Sequence, residues 1–194
     1  FTIAELLELP LPNSVPNLLQ GDLFTRQNTQ NLRSTGKSKE NAIALYLEAG
    51  GLPGVCFLRD SKQRALKLDE QLNTILDRDV RLVRRLGSSF SEIKDIARLL
   101  ANLQGQVIDY THLARESGLS TPTIKKIISC LEAVFMIQFV PLLSDTRKTN
   151  TIFFEDLGEW RHLADTDHTR SGLLTHFCFS QVRAQFEYRL GEPY

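Results

Sequence analysis

Residues 110–127 read Tyr110-Thr111-His112-Leu113-Ala114-Arg115-Glu116-Ser117-Gly118-Leu119-Ser120-Thr121-Pro122-Thr123-Ile124-Lys125-Lys126-Ile127. Three positions restrict this stretch to a helix, a tight turn and a second helix. Ala114 is small where the second helix crosses closely. Gly118, four residues on, suits the positive φ of a turn, and Ile124, six further, packs back into the core. Leu113, Leu119 and Ile127 fill the neighbouring apolar sites. Ser120 is the natural cap of the second helix, and Pro122 falls in its first turn, where a missing amide hydrogen costs little.

The flanks extend the pattern. Phe90 to Leu103 carries Ile93, Ile96, Ala97, Leu99, Leu100 and Leu103 at helical spacing, with Ser91 as its expected cap and Gly105 as its stop. Beyond Phe135 the apolar runs shorten to Met136–Leu143 and Thr151–Phe154, separated by the turn-prone Ser144 to Asn150. That is the pattern of a β-hairpin. Helices 91–103, 111–117 and 121–135, followed by strands flanking Arg147-Lys148 at the tip, make up a winged helix-turn-helix.

Upstream, an amphipathic helix from about Ser38 to Ala49 is stopped by Gly50-Gly51 and Pro53. A longer one starts at Asp60 or Ser61. Its apolar positions Leu66, Leu72, Ile75, Leu76, Val80, Val83 and Leu86 form one inward stripe up to Gly87, with a break expected near Asp77 to Asp79. Residues 10–40 hold three of the seven prolines and a polar run from Thr25 to Lys39, the composition of a linker or mobile loop. The tail from Asp156 mixes helix and strand signals around Leu173 to Tyr188. The expected fold is therefore mainly α with a small β-hairpin (α+β). Its parts are a linker over 1–39, a helical segment over 40–88, the winged helix-turn-helix over 89–157 and a C-terminal extension over 158–194.

With 194 residues, 42% of them apolar and 24% charged, the chain can bury a core without metal or disulfide. Its apolar runs fall far short of a bilayer span, so a cytoplasmic protein with no membrane partner is expected. Formal net charge is zero and the pI is near 7.1. Attraction to nucleic acid must therefore come from a local patch. Cys56, Cys130 and Cys178 lack the spacing of a disulfide framework or zinc site and read as buried free thiols. The first residue is Phe, not Met, which suggests a piece of something longer.

No complete catalytic constellation emerges, and the chain is expected to be no enzyme and to hold no cofactor or metal. Gly36-Lys37-Ser38 lacks the earlier glycine of a phosphate loop, because position 31 is Asn31. His112, His162, His168 and His176 show no ligand spacing, and His176 with Cys178 is a very weak metal pair. Glu155, Asp156 and Glu159 read as a solvated turn after a strand, although such carboxylates can hold magnesium or transfer protons. Asp77-Arg78-Asp79 is either ordinary surface pairing or an arginine, Arg78, offered to another subunit or domain.

On the second helix Thr121, Thr123, Lys125 and Lys126 suit a major groove and its phosphates, with Arg147 and Lys148 on the wing. Yet segment 105–140 is neutral, Arg115, Lys125 and Lys126 balancing Asp109, Glu116 and Glu132. A protein-docking module of the same fold stays open beside the DNA-binding one. Ile128 or Phe135 facing outward would favour docking.

Four pieces of the sequence, taken in order, resemble a known family. They are Tyr46-Leu47-Glu48-Ala49-Gly50-Gly51-Leu52-Pro53-Gly54-Val55, then Ile75-Leu76-Asp77-Arg78-Asp79-Val80. Asp109-Tyr110-Thr111-His112-Leu113-Ala114 with Ser120-Thr121-Pro122-Thr123-Ile124-Lys125-Lys126 follows, and Phe153-Phe154-Glu155-Asp156-Leu157-Gly158 closes the set. This order is similar to that of bacterial and archaeal AAA-type ATPases ending in domain of unknown function 4143.

The resemblance implies a non-catalytic C-terminal region whose nucleotide loop, ATP and magnesium belong to an ATPase core upstream. Phe1 to Leu6 then looks like the tail of that core, and segment 40–88 like a lid against it. It also implies partners: the ATPase core itself, double-stranded DNA, or a second copy in a protein-interaction or oligomerisation role. Relatives continue into a restriction-nuclease-like domain with an acid on its first helix. Here His176 stands where that acid is expected, so 158–194 would be at most a truncated version.

Overall fold

The computed structural model describes residues 2–6, 36–142, 150–164 and 170–190. It is mainly helical with a two-stranded antiparallel sheet, the α+β class expected. Arg147 and Lys148 lie outside the described residues, as do His168 and residues 7–35 of the expected linker.

After a single turn, α1 (Ile3–Leu6), the segment Gly36–Ala49 forms α2, which takes Gly36 and Lys37 into its first turn in place of any phosphate loop. It ends where Gly50 adopts φ +76. Helix α3 (Ser61–Thr74) is capped by Asp60, whose carboxylate accepts the Gln63 N–H. At the expected break the rod does not stop. It widens into a π turn at Ile75–Asp79 and resumes as α4 (Val80–Val83), leaving helical geometry at Arg84.

The buried stripe of this rod is Leu68, Leu72, Leu76 and Val80, four residues apart. That spacing slips round an α-helix of 3.6 residues per turn, and the wider π turn takes up the slip. Leu66, two residues from Leu68 and so on the far side, is 67% exposed, and Val83 is also exposed. Neither packs inward as expected.

Helix α5 (Phe90–Ala101) is capped by Ser89, not Ser91. A capping box needs a Glu or Gln three residues on to accept the cap residue's N–H, which Ser89 finds in Glu92 and Ser91 does not find in Lys94. Asp109 caps α6 (Tyr110–Ser117) by accepting the Thr111 and His112 N–H groups. Gly118 then turns the chain at φ +70, and Ser120 accepts the Thr123 N–H to start α7 (Thr121–Ala133).

Strand β1 (Ile137–Pro141) pairs with β2 (Asn150–Phe154), Ile137 opposite Phe154 and Pro141 opposite Asn150. On the other edge of β2, Val107 bridges Thr151, and the Gly105 N–H donates to the Ile152 carbonyl.

The tail is helical. A short α8 (Leu157–Leu163) leads to α9 (Arg170–Leu190). The strand signal there came from apolar residues on several sides of one helix. Phe177 meets Tyr46 edge-on at 5.7 Å, Phe179 stacks on Phe153 at 4.3 Å, and His176 is fully buried against Trp160. Cys178, two residues from His176 and on the opposite side, is exposed, whereas Cys56 and Cys130 are buried free thiols.

One continuous core joins Tyr46, Leu72, Leu76, Ile93, Ile96, Leu100, Leu113, Ile124, Ile127, Leu131, Phe154 and Trp160. Each fully buried Leu or Ile in it contributes about 1.5–3 kcal/mol.

The helix ends meet most tightly at Asp156. Its carboxylate caps α8 by accepting the Gly158 and Glu159 N–H groups, at 2.7 and 3.1 Å, and reaches back to the Gly51 N–H at 2.7 Å. Asp156 and Glu159 are buried at 6% and 3% exposure, so the solvated turn expected here is instead an interior junction. A Cβ on Gly158 would lie 2.4 Å from the Ala49 carbonyl oxygen, a backbone atom that cannot swing away.

Gly158→Ala therefore lowers unfolding free energy by about 1–3 kcal/mol or more through overpacking. Gly118→Ala, with open space around the site and only its φ to strain, costs about 1–2 kcal/mol. Thermal melts of the two variants check the order, and equal or reversed losses would contradict the close approach.

Candidate nucleic-acid interface

Helix α7 buries Ile124, Ile127, Ile128 and Leu131 against α4, α5 and α6. Its other side, Pro122, Lys125, Lys126, Ser129, Glu132 and Ala133, is exposed. The amphipathic spacing of the sequence thus produces a displayed face along one side of the helix.

The sequence-expected contacts divide around this face. The Lys125 ammonium sits 5.1 Å from the Tyr110 ring centroid, on the flank toward α6. Lys126 borders the opposite flank, where it lines a cleft of about 400 Å³ with Arg85, Ser88, Glu92, Leu119 and Thr123. Thr121 and Thr123 are half-buried, and the Thr123 hydroxyl lies 2.9 Å from that of the cap residue Ser120. Of the two threonines, Thr123 is the more committed to local structure.

Two cations that sequence reasoning passed over stand beside α7. Arg85 shares the cleft with Lys126, and Arg84 is close to Cys130: burial pushes that thiol's pKa up while the Arg84 charge opposes the rise. Both arginines are exposed. Among the described residues none of Arg84, Arg85, Lys125 and Lys126 is in an ion pair. The nearest acid in the cleft, Glu92, is engaged by the Ser89 N–H and hydroxyl, which hold its carboxyl below the usual range. The neutral count over 105–140 missed this patch because two of its charges come from residues 84 and 85. Only counting charges by predicted spatial neighbourhood would have found them.

Arg78 projects from the π turn at 68% side-chain exposure and pairs with the adjacent Asp79 at 2.8 Å. This is the surface pairing considered for it from sequence. Of the two apolar residues singled out for docking, Ile128 is buried, while Phe135 is 77% exposed and holds φ +56.

Two of the carboxylates after β2 are tied into local structure. Glu155 is paired with Arg183, and Asp156 is spent on three backbone N–H groups. Burial pushes the Asp156 carboxyl up against the pull of those donors. Burial, followed by the charges of Asp156 and Glu155, pushes Glu159 up to about 8. His176 goes the other way, to about 4, because burial disfavours its charged form although its Nε2 meets the Phe154 carbonyl at 2.9 Å. Among the described residues no group of three His, Cys, Asp or Glu is arranged to hold a metal ion.

A cavity of about 230 Å³ adjoins this region, but its polar lining is paired internally: Tyr46 with Ser180, Gly51 with Asp156, Gln181 with the Ile3 N–H. No helix among the described residues is long and apolar enough to cross a membrane.

A family model described as a domain of unknown function, DUF8612, matches residues 40–170, more than half of the chain. No curated protein and no solved structure gives a significant match.

The two shifted groups set opposite limits on stability. Glu159, raised from 4.5 to about 8, favours folding when protonated, so its contribution is full below pH 4.5 and is lost as pH rises through 8. His176, lowered from 6.5 to about 4, favours folding when neutral, so its contribution is full above pH 6.5 and is lost as pH falls through 4. Urea midpoints should form a plateau between the two ordinary values and decline on either side. Glu159→Gln should flatten the alkaline decline, and an unchanged alkaline limb would remove Glu159 as its source.

Proposed function

The chain belongs to the DUF8612 family, and we propose that it acts as a non-catalytic winged helix-turn-helix module that binds double-stranded DNA. The observation that carries this reading is the exposed face of α7, with Lys125 and Lys126 on its two flanks and no acid paired to either among the described residues.

The order of elements supports it. Helix α5, the Val107 bridge, α6, α7, β1 and β2 follow one another as the helices and strands of a winged helix do. In such a module the third helix enters the major groove, about 12 Å wide, and the flanking cations meet phosphates on its borders. Pro122 and Ser129 lie between the flanks and face base edges. Thr121 and Thr123 sit at the entering end of the helix. Arg147 and Lys148, between the strands, reach the neighbouring backbone in this proposal.

We further propose the context suggested by the AAA-type resemblance. The module would be the regulatory end of a cytoplasmic ATPase whose core supplies ATP and magnesium chemistry, with segment 40–88 as its lid. A second reading, a protein-docking or self-assembly module with Arg78 serving a neighbouring subunit, is favoured by one observation. Phe135 is exposed in a backbone conformation that suits glycine, so its ring is held outward at some strain.

Binding of the full chain to random duplex DNA at several salt concentrations tests the first reading. Association should be steeply salt-dependent, and Lys125→Ala with Lys126→Ala should weaken it and reduce the log–log salt slope by about two units. Unchanged binding and slope would remove the lysine pair from the interface. Absence of DNA binding, together with self-association lost on Phe135→Ala, would favour docking.

A further inference from the structure

We infer that the rod formed by α3, the π turn and α4 enters the DNA contact itself: Arg84 and Arg85 at its end share with Lys126 a seat for backbone phosphate. The inference rests on the reading of α7 as the DNA-binding helix and adds a second, discontinuous part of the chain to its interface.

The arginines of the rod divide into those with a carboxylate partner and those without, and exposed Arg78, paired with Asp79, belongs to the first kind. Arg64 is buried, bound to Glu48 and the Leu58 carbonyl, and Arg81 is held by Asp77 and the Ser88 carbonyl. These are structural. Arg84 and Arg85 are exposed and have no such partner among the described residues. They come to α7 because Val80, fully buried, anchors α4 against that helix. The chain then leaves helical geometry at Arg84, with φ −156 and ψ 141.

Arg85 and Lys126 line the cleft together, and Arg84 precedes Arg85 in the chain. The one acid in the lining, Glu92, stays ionised on the Ser89 N–H and hydroxyl, so three cations stand against one anion and the local balance is positive. Like charges gathered around a solvent-filled cleft repel, and an anion between them relieves that repulsion. A guanidinium suits a phosphodiester because its fork of donors can grip two oxygens.

The two flanks of α7 then serve the two strands bordering a major groove. Lys125, beside Tyr110, faces one, and Lys126 with Arg84 and Arg85 faces the other. Two consequences follow from linkage: a bound duplex holds the end of the rod against α7, and whatever pulls the rod away weakens the duplex contact by the same factor.

The test is fluorescence anisotropy of the full chain on a random duplex across a salt series. Arg84→Ala with Arg85→Ala should cut the log–log slope by about two units, so that the affinity lost between about 50 and about 200 mM salt shrinks roughly tenfold. Arg84→Lys with Arg85→Lys should keep the slope, which separates charge from fold. Lys62→Ala with Lys67→Ala removes the same charge from exposed positions near the start of the rod, roughly 30 Å away along it, and should leave the slope unchanged. If the wild-type chain binds steeply and the arginine-to-alanine pair leaves its slope intact, the phosphate seat is wrong while the reading of α7 stands. If the wild-type chain does not bind duplex, both fall.

Discussion

The carboxylate of Asp156 joins parts of the chain 105 residues apart, and the arrangement of the helices depends on that junction. Its N–H partners close the C-terminal end of α2 through Gly51 and open α8 through Gly158 and Glu159. Because the donors are backbone groups and the one side chain between them is short and held by three bonds, the helix ends are fixed closely to each other. The approach is close enough that neither Gly50 nor Gly158 has room for a Cβ. Helix α8, held there, sends Trp160 into the core, where its indole N–H donates to the Ala101 carbonyl at 2.8 Å. From Ala101 the order passes to α5 and so to α7.

The displayed face of α7 is a consequence of this chain of supports. With its inner side taken by α4, α5 and α6, the outer positions carry no packing duty and can hold lysine and serine at little cost in stability. Thr123 differs from its neighbours because its hydroxyl is close to that of Ser120, so a change there disturbs the start of the helix as well as the surface.

The helix-turn-helix was legible in the sequence because its signals are local. Gly118, Ser120 and Pro122 each restrict a backbone within a few residues, and all three agree. The capping of α5 shows how fine the margin is, since Ser89 and Ser91 differ only in what stands three residues later. Asp156 and Glu159 could not be read as interior residues, because one of the three N–H groups that meet Asp156 belongs to Gly51, far upstream. The tail misled for a different reason: α9 packs against Tyr46, Phe153 and Trp160 on several sides, which blurs its period. Arg84 and Arg85 were missed because charge was summed along the chain, whereas a partner meets charge summed in space.

The π turn at Ile75–Asp79 bears on how the length of the rod can vary. An α-helix that gains one residue must either rotate everything beyond it by about 100° or absorb the residue in one wider turn. With the wider turn, Leu72 upstream and Val80 downstream both face the core. Excising a single residue from this turn would return it to α geometry with Leu72 and Val80 seven residues apart, about 20° short of two full turns, so both would still face the core. A residue excised from α3 would instead leave the wider turn in place and set the two parts of the buried stripe about 100° out of phase. In this rod the π turn is therefore where a change of length by one residue is tolerated, and the α-helical parts are where it is not.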